Sequence, residues 1–379
     1  MSIRRRQFLV ATGAALAAGC TGQNQSADSG SPTEEPAGGT STGRPTGAPT
    51  ETPTASPEPT PSVEEVSLLL NWKPSGLHVP YYAAKARGFY EEEGLTISKI
   101  KAGQGSDFSA KQAGLGNTEF VVTSSDQVLN VNSRGLSPLA AGVVMQKSPV
   151  VVFSARDTFG GELTGADQLA GKTIGTGPGM VRLLSELFLK ETGVRADVEL
   201  VDTGYDTVQQ LLAGKIDAAG GVFGDVISAQ AQGYTVDSLQ VANEVPSYGH
   251  VVATEEGFAA DHPETVAAFL RATARGAAWG RNNVEKAIDT LVSANGSLAE
   301  SRDQQREKWV TMADEHVLSD TVREHGWGWS EGEPWRVTED ALRGADKLGG
   351  EVNPKAIWTN DYLDIDYRYV DGYAELVSN

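Results

Sequence analysis

VSLLLNWKPSGLHVPYYAAKARGFY, residues 66–90, passes from strand to helix within a few positions. The run 66–70 is short, apolar and unbroken, as a buried strand is. Pro74, Ser75 and Gly76 then interrupt the chain, and a helical apolar pattern starts near His78. Asn71 and Trp72 therefore stand at the carboxyl end of a strand, immediately before a helix. In open α/β sheets that edge is where small ligands bind, because the free N–H groups of the following helix face the crevice. Trp72 offers a π-face to a flat ring, while His78 and Tyr82 can donate or accept at ring nitrogens. Asn71 completes the candidate corner.

The same strand-to-helix pattern returns along the chain. Phe120, Val121 and Val122 run into Thr123, Ser124, Ser125 and Asp126 just before a helical pattern. Ser125 or Asp126 suits an N-cap, and Ser124 and Asp126 also suit ligand contact. Residues 172–179 end in the turn Gly175-Thr176-Gly177-Pro178-Gly179, followed by an amphipathic helix carrying Leu183, Leu184, Leu187 and Phe188. That loop is neither a Walker A sequence nor a complete GxGxxG fingerprint; it reads either as a plain turn or, through Gly177 and Gly179, as ligand-facing backbone. Residues 218–225 end in Val222, Phe223, Gly224 and Asp225, and Asp225 can accept from an exocyclic amine. Strand-like runs fall at 66–70, 95–100, 119–123, 139–145, 149–153, 172–175, 198–202, 217–222 and 249–254, with helical patterns between them. Such alternation predicts an α/β fold, and the 63–379 stretch is long enough for two lobes.

The ends and the charge bear on where the protein works. Arg5-Arg6-Gln7-Phe8-Leu9 with the Ala-rich stretch after it reads as a twin-arginine export signal over 1–20, and Ala17-Ala18-Gly19-Cys20 as a lipidation box acylated at Cys20. A plain cleaved signal is the alternative. Residues 21–62 are Thr, Pro, Ser, Gly and Glu with almost no large apolar side chain, a tether in composition. Cys20 is the single cysteine, so disulfides, zinc-thiolate sites and a catalytic thiol are excluded from the body. No cofactor or metal is expected. The formal net charge of −19 argues against a nucleic-acid partner. It fits a high-salt habitat, where screening shortens repulsion to a few ångströms, with an ordinary acidic extracellular protein as the alternative.

The order of these motifs resembles the substrate-binding proteins of ABC importers, in the family of thiamine-pyrimidine-precursor binders related to sulfonate, nitrate and taurine binders. Asn71, Trp72, Pro74, His78 and Tyr82 follow the pyrimidine branch's N-W-x-P, His, Tyr corner. Gly88-Phe89-Tyr90 with Glu93-Gly94-Leu95 is similar to its GFY and EGL elements, residues 211–218 to its LLxGxxDA, and Thr359-Asn360-Asp361-Tyr362-Leu363 to its terminal TNEYL. The match spans nearly all of 63–365. The resemblance implies a two-lobed, type II periplasmic-binding-protein-like clamp with hinge crossovers. Lobe 1 would comprise 63–152 plus 250–379, and lobe 2 would comprise 153–249. It implies a non-enzymatic, membrane-tethered, extracytoplasmic protein that captures a hydroxymethylpyrimidine-type heterocycle for a permease and an ATPase. The implied ligand set is Asn71, Trp72, His78, Tyr82, Ser124, Ser125, Asp126, Gly177, Gly179, Phe223, Asp225 and Tyr248. Tyr248 serves there as a closing wall or as plain packing.

Departures from the family pattern keep other solutes open. Phe223 stands where pyrimidine binders place a Tyr, and Ile227 where they place a Glu. Sulfonate- or nitrate-type and riboflavin-like solutes are the alternatives, although an anion calls for Arg or Lys in the pocket. The rival enzyme, a thiamine pyrimidine synthase of the same fold, carries a cysteine-rich iron site that aligns with 239–254, where this chain has no cysteine. His250, His262, His316 and His325 read as scattered surface or cap residues, and Trp327, Trp329 and Trp335 as packing.

Overall fold

A computed structural model describes residues 60–378. The export signal, Cys20 and nearly all of the tether lie outside the described residues. Pro61 is buried against Gly94, and Ser62 Oγ bonds His262 Nδ1 at 2.8 Å, so the last residues assigned to the tether are part of the packed body.

Among the described residues ten strands build two five-stranded sheets: β1 (Glu65–Leu69), β2 (Thr96–Lys101), β3 (Phe120–Ser124), β4 (Pro138–Val143), β5 (Val150–Ala155), β6 (Thr173–Thr176), β7 (Glu199–Asp202), β8 (Ala218–Val222), β9 (Val236–Gln240) and β10 (His250–Glu255). Each of the nine apolar runs becomes a strand. Strand β9, VDSLQ, escapes the reading because a half-exposed edge strand mixes apolar and polar residues and shows no apolar run.

Both sheets share one plan. The first is ordered β2-β1-β3-β10-β4 and the second β7-β6-β8-β5-β9. In each, three parallel strands come first, followed by an antiparallel strand that arrives from the other sheet's stretch of chain. β5 already pairs with β8 and β9, so the chain changes sheets before Val150. That is a little earlier than the 152/153 boundary, because partner choice and not sequence proximity assigns a strand.

The two chain crossings are stitched together. The carbonyl of His250 accepts from Val144 N at 2.8 Å and Met145 N at 2.9 Å, and Gly249 N donates to Met145 O at 3.0 Å. A Cβ on Gly249 would lie 2.8 Å from both Met145 Cβ and Pro149 Cδ, so this approach requires a residue without a side chain.

After β10 the chain returns as helices against the first sheet. Helix Pro263–Asn282 packs on helix Val79–Ala86, and Gly276 permits the contact: its absent Cβ would sit 2.3 Å from Pro80 O. Trp309 is fully buried and donates through Nε1 to Gly280 O at 3.0 Å. Trp335 and Leu342, from helix Gly332–Gly344, share an apolar cluster with Leu184, Leu187 and Phe188 of helix Met180–Glu191. Among the described residues no helix is long and apolar enough to cross a membrane.

Candidate functional site

The carboxyl ends of β1 and of β6 and β8 face one cavity of about 250 Å³. From the first lobe come Asn71, Trp72, His78, Ser106, His250 and Lys308. From the second come Gly177, Met180, Tyr205, Val222, Gly224 and Asp225. This is the crevice that the doubly wound arrangement leaves at its strand ends.

Trp72 and Tyr205 meet across the mouth, ring centroids 5.2 Å apart at 41°, and remain 36% and 64% exposed. Below them Asn71 is buried between two imidazoles. Its Oδ1 lies 2.9 Å from His78 Nε2 and its Nδ2 lies 3.0 Å from His250 Nε2. Desolvation pushes His250 down to about 3 and His78 well below its ordinary value, so both rings are neutral at physiological pH. Lys308 lays its stem over Gly224, where an added Cβ would meet its carbons at 3.2–3.5 Å. Burial lowers the Lys308 ammonium and the nearby Asp225 carboxylate opposes that shift. Asp225 is itself raised by burial, against a hydrogen bond from Val222 N at 2.8 Å and the Lys308 charge. The cavity thus holds one cation and one carboxylate that influence each other, with amide, imidazole, hydroxyl and aromatic groups and the apolar side chains of Leu77, Met180 and Val222.

The structure gathers Asn71, Trp72, His78, Gly177 and Asp225 around this cavity and leaves the other expected residues outside its lining. Tyr82 faces a separate surface groove beside Lys85 and Asp289, its hydroxyl 3.5 Å from Asn295 Oδ1. Phe223 stacks on His316 at 4.6 Å and 19°, a contact between a second-lobe helix and the returning chain. Tyr248 is a packing residue. Its hydroxyl accepts from Glu331 N at 2.8 Å and its ring meets Trp335 edge-on at 5.9 Å. Ser125 Oγ donates to Tyr248 O, while Ser124, and neither Ser125 nor Asp126, occupies the N-cap position of helix Ser125–Asn132. Asp126 is fully buried, raised to about 6 by desolvation, and accepts from Gln127 Nε2 at 2.7 Å. Gly179 stands behind the lining as the N-cap of helix Met180–Glu191 at φ 74°. His250 and His316 are buried, contrary to their reading as surface residues.

Tyr205, His250, Lys308 and Ser106 are among the lining residues absent from the expected set. Tyr205 had a signal: Gly204-Tyr205 follows β7 just as Asn71-Trp72 follows β1. His250 and Lys308 had none, since chain return alone brings them in. Among the described residues no group of three or more His, Cys, Asp or Glu side chains is placed to hold a metal ion.

The sequence profile of the NMT1/THI5-like family matches residues 76–287, more than half of the chain. The chain belongs to the NMT1/THI5-like family. Its relatives include the riboflavin-binding protein RibY of Chloroflexus aurantiacus, 26% identical over 80% of this chain and 87% of that protein. A formylaminopyrimidine-binding protein of Halalkalibacterium halodurans is 26% identical over 61% of this chain and 71% of its own. Pyrimidine phosphate synthases match at about the same distance, that of Legionella pneumophila at 24% identity over 62% of this chain. In fold the chain is similar to the periplasmic aliphatic sulphonate binding protein SsuA of Escherichia coli, with a TM-score of 0.64 and 15% identity, over 79% of this chain and 93% of that one. Two α/β lobes of the periplasmic-binding-protein type are therefore the architecture of this NMT1/THI5-like protein.

Proposed function

We propose that this protein is the solute-capturing component of an ABC importer and that its ligand is an uncharged planar nitrogen heterocycle of the aminopyrimidine class. The observation that carries the reading is the Trp72–Tyr205 pair over an amide flanked by neutral imidazoles. A flat ring stacks on such aromatics, and its nitrogens find directional partners at Asn71. Lys308 is the single cation of the lining and already faces Asp225, which disfavours sulfonate or nitrate: an oxyanion calls for an unopposed cation or an Arg fork. The formylaminopyrimidine-binding relative supports the same ligand class.

Riboflavin is the second reading, favoured by the RibY relative, which matches along most of its length. An isoalloxazine needs a larger space, and the lobes would have to part around it. Anchoring through Cys20, an extracytoplasmic position, and permease and ATPase partners belong to the same proposal. Binding without turnover also belongs to it, with no synthase activity expected. Mass spectrometry of the membrane-extracted protein tests the anchor: a diacylglyceryl adduct on Cys20 is expected, and an unmodified thiol removes it.

Thermal-shift screening of aminopyrimidines, flavins, sulfonates and nitrate in concentrated salt tests the ligand. A ligand at a hundred times its Kd stabilises the fold by about 2.7 kcal/mol. A shift with the aminopyrimidines alone is the expected outcome, and a shift with a sulfonate or nitrate alone overturns the reading.

A further inference from the structure

A backbone amide can only donate, and at Ser75 that restriction decides the state of the whole cavity floor. Ser75 N lies 3.2 Å from His78 Nδ1, so this nitrogen accepts and Nε2 carries the proton. His78 Nε2–H then donates to Asn71 Oδ1 at 2.9 Å, which turns the carboxamide so that Nδ2 faces His250. His250 Nε2, 3.0 Å away, accepts, and its proton sits on Nδ1, which has no hydrogen-bond partner among the described residues. All three side chains are buried, at 7%, 1% and 1% exposure, and the two imidazoles stack at 5.5 Å and 17°. If Asn71 turned over while Ser75 N holds His78 in this tautomer, its NH₂ would face the His78 N–H, two donors in a buried site.

We propose that His78 and His250 are positioning residues that lock the Asn71 carboxamide in one orientation, and that this lock sets the donor and acceptor order a bound heterocycle meets. Asn71 keeps one lone pair on Oδ1 and one N–H on Nδ2 beyond the relay, the latter 3.5 Å from Ser106 Oγ and so only weakly engaged. These present an acceptor on the His78 side and a donor on the His250 side. An amino group beside a ring nitrogen and its lactam counterpart, N–H beside C=O, offer opposite orders when the other ring substituents hold the same places. A free asparagine turns over and serves both, whereas a locked one discriminates, by a factor of about ten to a hundred for one bidentate edge. The selectivity half of this inference rests on the heterocycle reading above, and the lock itself does not.

Two measurements test it. Long-range ¹H–¹⁵N NMR of the folded protein at pH 7 is expected to show His78 as the Nε2–H tautomer and His250 as the Nδ1–H tautomer; the opposite tautomer at His78 overturns the lock whatever the ligand. Calorimetry with 4-amino- and 4-oxo-5-hydroxymethyl-2-methylpyrimidine then reads selectivity. The expected result is a ten- to hundredfold preference for one of the pair in the native protein. His78→Leu, which frees the amide to turn, should bring the two within about threefold, and His78→Gln, which keeps an N–H donor, should restore the preference. Undiminished selectivity in His78→Leu overturns the inference. If neither pyrimidine binds, the ligand reading fails, and the tautomers still decide the lock.

Discussion

Tyr205 is the most exposed large aromatic residue at the cavity, and its ring packs against Trp72. A ligand ring between the two needs centroids about 7 Å apart, twice a van der Waals separation, so the pair must open from 5.2 Å when a ring enters. Trp72→Ala should weaken binding about tenfold or more in calorimetry, and Tyr205→Ala by somewhat less, because an aromatic stack adds about 0.5–1.5 kcal/mol beyond the area it buries. Unchanged affinity in Trp72→Ala removes the indole from the site. A second residue-scale effect concerns protons. Burial holds His250 at about 3, His316 at about 4 and His78 well below its ordinary value. The unfolded chain takes up protons at these side chains near pH 6.5 and the folded chain does not, so their contribution is full above that pH and lost as the pH falls toward 4. Asp126, raised to about 6, and Asp225, also raised, act in the other direction, since folding favours their protonated forms and their contribution is lost as the pH rises. Three imidazoles outweigh two carboxyls: the melting temperature should be level above about pH 7 and decline below 6.5, each histidine contributing up to about 1.4 kcal/mol per pH unit. A melting temperature that holds from pH 7 to 4.5 would show that these rings are not kept neutral by burial.

At the scale of elements, one contact that joins the lobes is apolar. Helix Phe223–Gln230 of the second lobe sends Phe223 and Ile227 into the first lobe's core cluster, and Phe223 stacks on His316, from the π-helical turn Met312–Val317. His316 in turn holds the crossing through Nδ1 to Lys147 O at 3.0 Å and through its own carbonyl, which accepts from Gln146 N. Phe223→Ala should cost about 3–5 kcal/mol, as truncation of a buried Phe does. It should also shift scattering profiles of the ligand-free protein toward a more open form. Loss of stability without opening would make the contact mere packing. The family pattern marks the place of Phe223, and its residue type, large and apolar, marks burial. Neither says against what. Burial by the opposite lobe is a long-range pairing, invisible to local periodicity, and for the same reason Tyr248 reads as a cavity residue when it packs against Trp335 of the returning chain.

For the whole molecule, a formal charge of −19 is the dominant long-range term. Self-repulsion acts over about 10 Å at 0.1 M salt and about 3 Å at 1 M, so the melting temperature should climb as potassium chloride rises from 0.1 M into the molar range. A flat or falling curve argues against a protein built for high salt. Local order was within the reach of the sequence: nine of the ten strands, the helices between them, the α/β class and the Asn71-Trp72 corner depend on apolar periodicity and on turn residues, which act over a few positions. The chain alone also excluded thiol chemistry from the body, through its single cysteine. The floor and far wall of the cavity were decided only by tertiary structure. His250 reaches Asn71 across 179 positions because a returning strand inserts beside β3, and Tyr205 meets Trp72 because two sheets of like plan turn their carboxyl ends toward each other. Strand insertion and lobe apposition are choices of partner between distant segments, and the free energy that settles them is spread over whole buried faces and not written in any short stretch of residues.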